Sequence, residues 1–433
     1  MPRQRRWFLS SCAALALPGA AAAASGASTP LPSAEAAALG ISQSRLARLD
    51  RFMTIATDAR GYLGAVTMIA RHGRLVHWQA HGHLDLARQQ PMPPEAIFRI
   101  YSMTKTITSV GALMLLEQGR LTLDDPVAAH LPQFAALQVL AGGNADAPLL
   151  RAPSRQLTVR HLLTHTTGFA VGAPGTEEAT RLLERAAPSR ASDLQDFARR
   201  VAGVPLATDP GTQFTYDGVN TEVLAHLIEV VSGEPFQRFL QRHILAPLQM
   251  HDTGFAVPAG PRDRIATLTA TATPPATGLV PGPGRSVVEP GRSLNDYSSG
   301  AGGLYSTAPD YLRFCQMLLD GRSGRGRSLL GRKTIELMMA NQLSAAQVAS
   351  AHLTPGEGFG LGGSVVLDPA LRGRLGSAGA FGWSGAASTY YTIDPREQLV
   401  AILLAQHLPR DDVPGELPRL QVKFFNLVYQ SLV

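Results

Sequence analysis

Lysine is scarce in this chain of 433 residues. Only three of its 39 basic residues are lysines, Lys105, Lys333 and Lys423, and the others are arginines. Arginine stays protonated in proteins, whereas a lysine that is near a second cation or removed from water can lose its proton and act as a base. We interpret Lys333 and Lys423 as surface residues, but the neighbours of Lys105 indicate a chemical role.

Cysteine is scarcer still, since the chain contains only Cys12 and Cys315. Cys12 lies in a segment that we expect to be removed, as argued below, so Cys315 would be alone and no intramolecular disulfide could form. The apolar, helix-like pattern around Cys315 predicts a buried core residue. Two cysteines also cannot build a cysteine-based metal site.

Long apolar runs and basic clusters are both missing. Beyond the N-terminus no run of 18 or more apolar residues occurs, so we expect no transmembrane segment in the mature chain. The net charge of +6 comes from dispersed arginines, without a basic run interleaved with aromatics, which argues against nucleic acid as a partner. With 45% apolar and 17% charged residues the composition is globular, and the length suits two domains or one large unit.

The N-terminus has the pattern of an export signal. Arg5-Arg6 precede an apolar alanine-leucine segment that ends in small residues. This arrangement is typical of a twin-arginine signal peptide. We therefore expect residues 1–24 to direct export of the folded chain, through the twin-arginine machinery, to the periplasm or out of the cell. Residues 25–40, rich in Ala, Ser and Pro, are expected to form a flexible linker.

Strand patterns occur near both ends of the chain and helical patterns in its middle. Two strand-like runs flank a hairpin signal at residues 72–73, and two more, STYYTIDP and QLVAILLAQ, stand near the C-terminus. We predict an α+β fold in which residues 41–110 and 296–433 form one antiparallel sheet domain. Residues 111–295 would be an inserted, mainly helical region that includes a Pro/Gly-rich loop at 256–292.

Ser102 stands three residues before Lys105, in the stretch YSMTKTITS. Positions i and i+3 lie on one face of a helix, so the hydroxyl and the amine would be neighbours. A serine hydroxyl is a weak nucleophile until a base takes its proton, and a helix N-terminus offers N–H groups to an oxyanion. The S-x-x-K spacing is typical of penicillin-recognising serine hydrolases. A helix-capping serine beside a surface lysine would give the same spacing.

Longer segments carry a resemblance to a known family. The stretch FRIYSMTKTITSVGALMLLEQGRLTLDDPVAAHLPQF resembles the beta-lactamase-related serine hydrolases, a group with class C beta-lactamases, DD-peptidases and family VIII carboxylesterases. LTVRHLLTHTTGF, PGTQFTYDGVNTEVLAHLIEVVSG, SGAGGLYSTAPDYLRFCQMLLDG and FGWSGAASTYYTIDP extend it over nearly the whole mature chain. The resemblance implies a beta-lactamase/transpeptidase-like fold, a site between sheet and helical region, a small-molecule substrate, and neither metal nor cofactor. It leaves the oligomeric state open.

The resemblance also implies roles for individual residues. Ser102 would be the nucleophile and Lys105 its proton partner. Tyr216, in FTYDG, matches the tyrosine of the family's Tyr-x-Asn motif and would help to deprotonate Ser102 and later protonate the leaving group. The third position of that motif is Gly218 instead of Asn, which removes an amide that would bind a beta-lactam or a peptide side chain.

The family's Lys-Thr-Gly motif is also replaced. The only Lys-Thr pair, at Lys333, falls in a helical pattern, and the matching segment holds a different tripeptide: Trp383, Ser384 and Gly385. This edge would supply an oxyanion N–H near Ala386, paired with the N–H of Ser102. Losing the lysine removes a cation suited to a substrate carboxylate, so we expect neutral esters or amides, as for family VIII carboxylesterases.

Other functions stay open. A beta-lactamase or D-amino-acid peptidase is the first alternative, and a catalytically silent binding member of the family is the second. Retention of Ser102, Lys105 and Tyr216 together argues against the silent protein. No complete G-x-S-x-G occurs, which disfavours an α/β-hydrolase.

Histidine spacing raises the possibility of a metal site. His161 and His165 stand at i and i+4, but the glutamate of H-E-x-x-H is missing, so we favour a structural role. His77, His81 and His83 have strand parity on one face, where a solvated cluster is the more ordinary interpretation.

Overall fold

The computed structural model describes residues 29–169, 172, 175–324, 328–351 and 353–433. The expected signal peptide and residues 25–28 of the expected linker lie outside these residues. The fold is α+β, as predicted. Among the described residues, no helix is both long and apolar enough to cross a membrane.

The strands of the described chain form one large sheet and three small ones. The large sheet has seven strands in the order β2-β1-β13-β12-β11-β10-β9, and every neighbouring pair is antiparallel. The strand bounds are β1 Gly64–Arg71, β2 Arg74–Gly82, β3 Phe98–Arg99, β4 Val139–Gly143, β5 Pro148–Arg151, β6 Thr269–Thr271, β7 Leu279–Pro281, β8 Tyr305–Ser306, β9 Glu357–Phe359, β10 Ser364–Val366, β11 Phe381–Gly385, β12 Thr389–Asp394, β13 Leu399–Ala405 and β14 His407–Leu408.

The α-helices of the described chain cover both faces of the large sheet and build the middle of the chain. Their bounds are α1 Gln43–Ala56, α2 Thr104–Glu117, α3 Val127–His130, α4 Val159–Leu163, α5 Glu177–Ala186, α6 Leu194–Ala202, α7 Val219–Ser232, α8 Phe236–Leu240, α9 Arg285–Val288, α10 Ala308–Ser323, α11 Arg332–Met338, α12 Ala345–Ser350, α13 Pro369–Arg372 and α14 Gln421–Tyr429.

The two ends of the chain meet in the large sheet, as the strand patterns predict. Strand β1 pairs with β13 in a register that places Ala65 opposite Ala405 and Arg71 opposite Leu399. All seven residues of β13 are buried because helices cover both faces. Helices α1 and α14 pack on one face, where Leu49 and Phe424 are buried.

Helix α2 lies between the other face of the sheet and the inserted helices. Eleven of its fourteen residues are buried, which explains its lack of a polar stripe. Gly111 lets α8 come close, because a Cβ there would stand 3.2 Å from Cε1 of Phe239. Helix α2 is therefore fixed from both sides, and so is its first turn.

Three segments differ from the sequence-based expectation. The stretch LTVRHLLTHTTGF is helical only over Val159–Leu163, because His165 adopts a φ of +54°. The loop at 256–292 is not wholly irregular, since it contains β6, β7 and α9. Within the expected linker, Ser33 forms a parallel bridge to Leu75.

Candidate active site

Ser102 occupies a tight turn between the sheet edge and helix α2. It lies in the one-turn 3-10 helix Tyr101–Met103, and α2 begins directly afterwards at Thr104. Tyr101 has a φ of +42°, a conformation that a bulky residue adopts only when its surroundings impose it. Met103 is fully buried and anchors the turn, while Ser102 stays half-buried and reaches the surface of a cleft.

The structure brings Lys105 to Ser102, as the i, i+3 spacing predicts. Lys105 Nζ donates to Ser102 Oγ at 3.3 Å and to the carbonyl oxygen of Ala301 at 2.7 Å. Only 4% of Lys105 is exposed. The same Nζ lies 5.0 Å from the centroid of the Tyr216 ring. Nucleophile, amine and phenol therefore form one contiguous group.

Tyr216 is held between two other rings. Trp383 Nε1 donates to Tyr216 Oη at 2.9 Å, and the two ring centroids lie 4.8 Å apart. The centroid of the His165 ring lies 4.7 Å from the centroid of the Tyr216 ring. A tyrosine clamped in this way keeps its hydroxyl in one place, which proton transfer at Ser102 requires.

His165, for which the sequence favours a structural role, packs beside Tyr216. Burial, and then the positive charge of Lys105, lower the pKa of His165 well below its ordinary value, so the ring is neutral. Asn220 Nδ2 donates to His165 Nδ1 at 3.0 Å and to Asp217 Oδ1 at 2.9 Å. His165 therefore links Tyr216, through ring packing, to the hydrogen-bonded pair of Asn220 and Asp217.

Two carboxyl groups near Lys105 are removed from water. Burial raises the pKa of Asp217 to about 7 and that of Glu222 to about 7. Asp217 Oδ2 is shut off from solvent and has no hydrogen-bond partner among the described residues, although the residue as a whole is half-buried.

Glu222 holds the segment that binds Lys105. Its carboxylate accepts a hydrogen bond from Ser299 Oγ and another from the N–H of Gly300 at 2.9 Å. These bonds fix the backbone next to Ala301, whose carbonyl receives Lys105 Nζ. The only signal for this role in the sequence is a glutamate in the first turn of the largely apolar helix α7.

Two cavities meet at Ser102. One, of about 390 Å³, is lined by Tyr216, Trp383 and residues 384–386, and the other, of about 380 Å³, by residues 283–286 and 294–295. Ser102 and Ala386 line both cavities. The loop at 256–292 thus forms part of one wall of the cleft. This arrangement offers separate room for the two halves of an ester around one nucleophile.

Strand β11 lies directly against the turn of Ser102. A Cβ on Gly385 would stand 2.3 Å from the carbonyl oxygen of Ile100 and 2.3 Å from Thr389 Oγ1, so only glycine fits there. This close approach places Trp383, Ser384 and Ala386 along the cleft.

The remaining sequence candidates do not line the two cavities at Ser102. Gly218 is exposed at the N-terminus of α7 and lines neither cavity. Lys333 is 77% exposed on α11 and pairs with Glu336. His161 caps α4. Across the described ranges, no three His, Cys, Asp or Glu side chains are arranged to hold a metal ion.

Comparisons with known proteins identify the family of this chain. The family model described as Beta-lactamase matches residues 49–423. Esterase EstB of Burkholderia gladioli is 32% identical over 86% of this chain and 92% of its own length. Protein Rv1367c of Mycobacterium tuberculosis (strain ATCC 25618 / H37Rv) is 33% identical over 87% of this chain and 96% of its own.

Solved structures give the same result. EstCE1, a hydrolase with promiscuous acyltransferase activity, superposes with a TM-score of 0.72 at 26% identity, covering 89% of this chain and 99% of its own. Simvastatin synthase (LovD) from Aspergillus terreus, unliganded and as the selenomethionyl derivative, gives 0.74 at 26% identity, covering 89% and 98%. The beta-lactamase/transpeptidase-like fold expected from the sequence is therefore confirmed, and the chain belongs to the beta-lactamase family of serine hydrolases, with esterase and acyltransferase relatives.

Proposed function

We propose that this protein is an exported carboxylesterase that cleaves a small-molecule ester, or an amide, through an acyl-enzyme on Ser102. One observation carries the proposal. Lys105 Nζ lies 3.3 Å from Ser102 Oγ, at the point where two cavities meet. Export rests on Arg5-Arg6 and the apolar segment that follows them.

Acylation begins at Ser102. Its Oγ attacks the ester carbonyl while its proton passes to the Lys105–Tyr216 pair, and the N–H groups of Ser102 and Ala386 bind the oxyanion. Collapse of the tetrahedral intermediate breaks the bond to the alcohol oxygen, which takes a proton from Tyr216. Trp383 holds the Tyr216 hydroxyl in place for both transfers.

Deacylation reverses these roles. Water enters the place that the alcohol left and gives a proton to the same pair as its oxygen attacks the acyl carbon. The bond to Ser102 Oγ then breaks, Ser102 regains its proton, and the free acid leaves. No step requires a metal ion or an organic cofactor.

The composition of the cleft favours esters over beta-lactams. Strand β11 carries Trp383 and Ser384 where the family's beta-lactamases have a lysine and a threonine, and Lys333 lies far out on the surface. Gly218 offers no amide to an acylamino side chain. The cleft at Ser102 therefore has weaker means of holding a beta-lactam than of holding an ester.

Acyl transfer to an alcohol is the second candidate function. The two cavities flank Ser102 from different sides, so an alcohol could occupy the place of the departing one. EstCE1, a hydrolase with promiscuous acyltransferase activity, supplies a precedent among the similar structures. Adding a primary alcohol during ester hydrolysis and measuring the new ester would detect this activity.

The test of the primary proposal is hydrolysis of 4-nitrophenyl butyrate by the mature protein and by Ser102→Ala. We expect kcat/KM to fall at least ~1,000-fold in the variant, because the covalent route is lost. Ser323→Ala is the matched control and should keep full activity, since this serine is exposed at the C-terminal end of α10. Equal rates in wild type and Ser102→Ala, or no turnover in either, would contradict the proposal.

A further inference from the structure

A third cavity adjoins the cleft at Ser102 along strand β11. Its volume is about 210 Å³, and its lining shares Trp383, Ser384 and Gln421 with the cleft at Ser102. Four consecutive residues of β11, 381–384, line this cavity. We call this space the side chamber. Trp383 and Ser384 line both the side chamber and the cleft at Ser102, so the two spaces are neighbours along β11.

Two arginines and one glutamate give the side chamber a net positive charge. Arg372 Nε donates to Glu357 Oε1 at 2.5 Å, whereas Arg374 Nη1 lies 4.0 Å from the same oxygen. The side chain of Arg372 is 12% exposed, that of Glu357 10% and that of Arg374 15%. One carboxylate therefore balances the charge of two guanidinium groups that are largely shielded from solvent.

Arg374 is the arginine of the side chamber that has N–H donors left for a ligand. Nη2 donates to Thr354 Oγ1 at 3.4 Å, and Glu357 is the only carboxylate within 4.0 Å among the described residues. Burial, and then the charge of Arg372, lower the pKa of Arg374. A guanidinium group has five N–H donors, and a carboxylate can accept two of them at once.

The rest of the side chamber suits a short carboxylate-bearing chain. Ser364 Oγ donates its hydrogen bond to the carbonyl oxygen of Gly382 at 3.1 Å. Its proton is therefore already used, which leaves the arginines as the donors for an anion. Phe381 and Phe425 contribute apolar wall. The side chamber thus combines two aromatic side chains with a net positive charge, and these are the features that a site for an ω-carboxylate requires.

We propose that the side chamber is a subsite for a carboxylate on the ester substrate, with Arg374 as its ligand. The proposal rests on the esterase function above and narrows its substrate class, replacing the expectation of a wholly neutral ester. Arg419 also lines the cleft at Ser102, but it is paired with Asp411 at 2.7 Å. Arg374 has no carboxylate closer than Glu357 at 4.0 Å among the described residues, and it can take the place of the cation that β11 lacks. The carboxylate belongs to the acyl part or to the alcohol part, and the experiment separates the two.

The experiment compares charged and neutral esters of equal size. In the acyl arm, the 4-nitrophenyl monoester of adipic acid is set against its ω-carboxamide. In the alcohol arm, the acetate of 3-hydroxybenzoate is set against that of 3-hydroxybenzamide. The measured quantity is the ratio of kcat/KM for the charged ester over the neutral one, in wild type, Arg374→Gln, Arg374→Lys and the surface control Arg332→Gln.

We expect wild type to prefer the charged ester in one arm. Arg374→Gln should lower that ratio by about 10- to 100-fold, the usual effect of losing a hydrogen bond to a charged group. Arg374→Lys should retain part of the ratio, and Arg332→Gln should leave it unchanged. Wild-type preference for the neutral ester in both arms would overturn the proposal, as would an unchanged ratio in Arg374→Gln. If Arg374→Gln does not fold, the wild-type preference decides.

A binding measurement keeps the two proposals apart. Hexanoate and hexanamide are titrated into Ser102→Ala, with and without Arg374→Gln, and the shift in melting temperature is recorded. Stabilisation by hexanoate alone, lost with Arg374, supports the subsite even if no ester is hydrolysed. Equal shifts from both ligands overturn the subsite and leave the esterase untouched.

Discussion

At the scale of single residues, position 105 is the one where the proposed chemistry requires a particular side chain, a lysine. Its ammonium contacts Ser102 Oγ and the carbonyl of Ala301, and it lies over the ring of Tyr216. An arginine would keep the charge, but its planar fork is larger and does not release a proton. The scarcity of lysine in this chain makes the retention of lysine at this position informative.

Replacing Lys105 by arginine should therefore nearly abolish turnover without unfolding the protein. We expect kcat on 4-nitrophenyl butyrate to fall by about 100- to 10,000-fold, the usual contribution of a general base. Lys333→Arg is the matched control, because that lysine is 77% exposed and should keep full activity. Near wild-type kcat in Lys105→Arg would show that proton transfer from Ser102 does not pass through this residue.

At the scale of elements, the site depends on strand β11 touching the turn that carries Ser102. The two meet at Gly385, where the carbonyl of Ile100 leaves no room for a side chain. A shift of either element would move the N–H of Ala386 relative to Ser102. In the proposed mechanism, packing between backbone segments thus sets the geometry of the oxyanion site.

A methyl group at Gly385 should force these elements apart. We expect Gly385→Ala to lower the free energy of unfolding by about 1 to 3 kcal/mol and kcat/KM by at least ~10-fold. Gly260→Ala is the control, since no atom would lie within 4 Å of its new Cβ. Melting curves and ester hydrolysis measure both effects. A variant Gly385→Ala with unchanged kcat/KM would mean that the approach of β11 is not needed for catalysis.

Several elements were predictable from pattern, and others were not. The hairpin at 72–73 and the pairing of β12 with β13 follow from alternating and continuous apolar runs. The end of α4 at Leu163 could not be predicted from the sequence. The residues after it extend the helical pattern up to Gly168, and nothing in that pattern shows that His165 adopts a left-handed backbone conformation. Burial of Glu222 and the side chamber along β11 depend on contacts between distant segments, which no local pattern reveals.

At the scale of the whole molecule, the site lies where the sheet domain meets the inserted helices. The resemblance to serine hydrolases predicted this seam, and the structure places α2, α7 and the segment before β8 around Lys105. Enclosing a lysine there also encloses the carboxyl groups of Asp217 and Glu222. The stability of the whole fold is consequently linked to pH through the groups that surround its catalytic amine.

The sign of this linkage follows from the raised pKa values. Folding raises the pKa of Asp217 from 3.8 to about 7 and the pKa of Glu222 from 4.5 to about 7. At pH values between these limits, the folded chain therefore holds protons that the unfolded chain releases. Their contribution to stability is therefore present below about pH 4 and is lost as pH rises towards 7, by at most about 1.4 kcal/mol per pH unit for each group.

Replacing Asp217 by asparagine should remove one of these two contributions. Whatever its absolute melting temperature, Asp217→Asn should gain relative to wild type between pH 5 and pH 8, because its amide takes up no proton in that interval. Asp146→Asn, at a side chain that is 83% exposed, serves as the control and should show the same difference from wild type at both pH values. A constant difference for Asp217→Asn would mean that its carboxyl group titrates alike in the folded and unfolded chain. A difference that turns against the variant at pH 8 would mean that the charged carboxylate, paired electrostatically with Lys105, stabilises the fold.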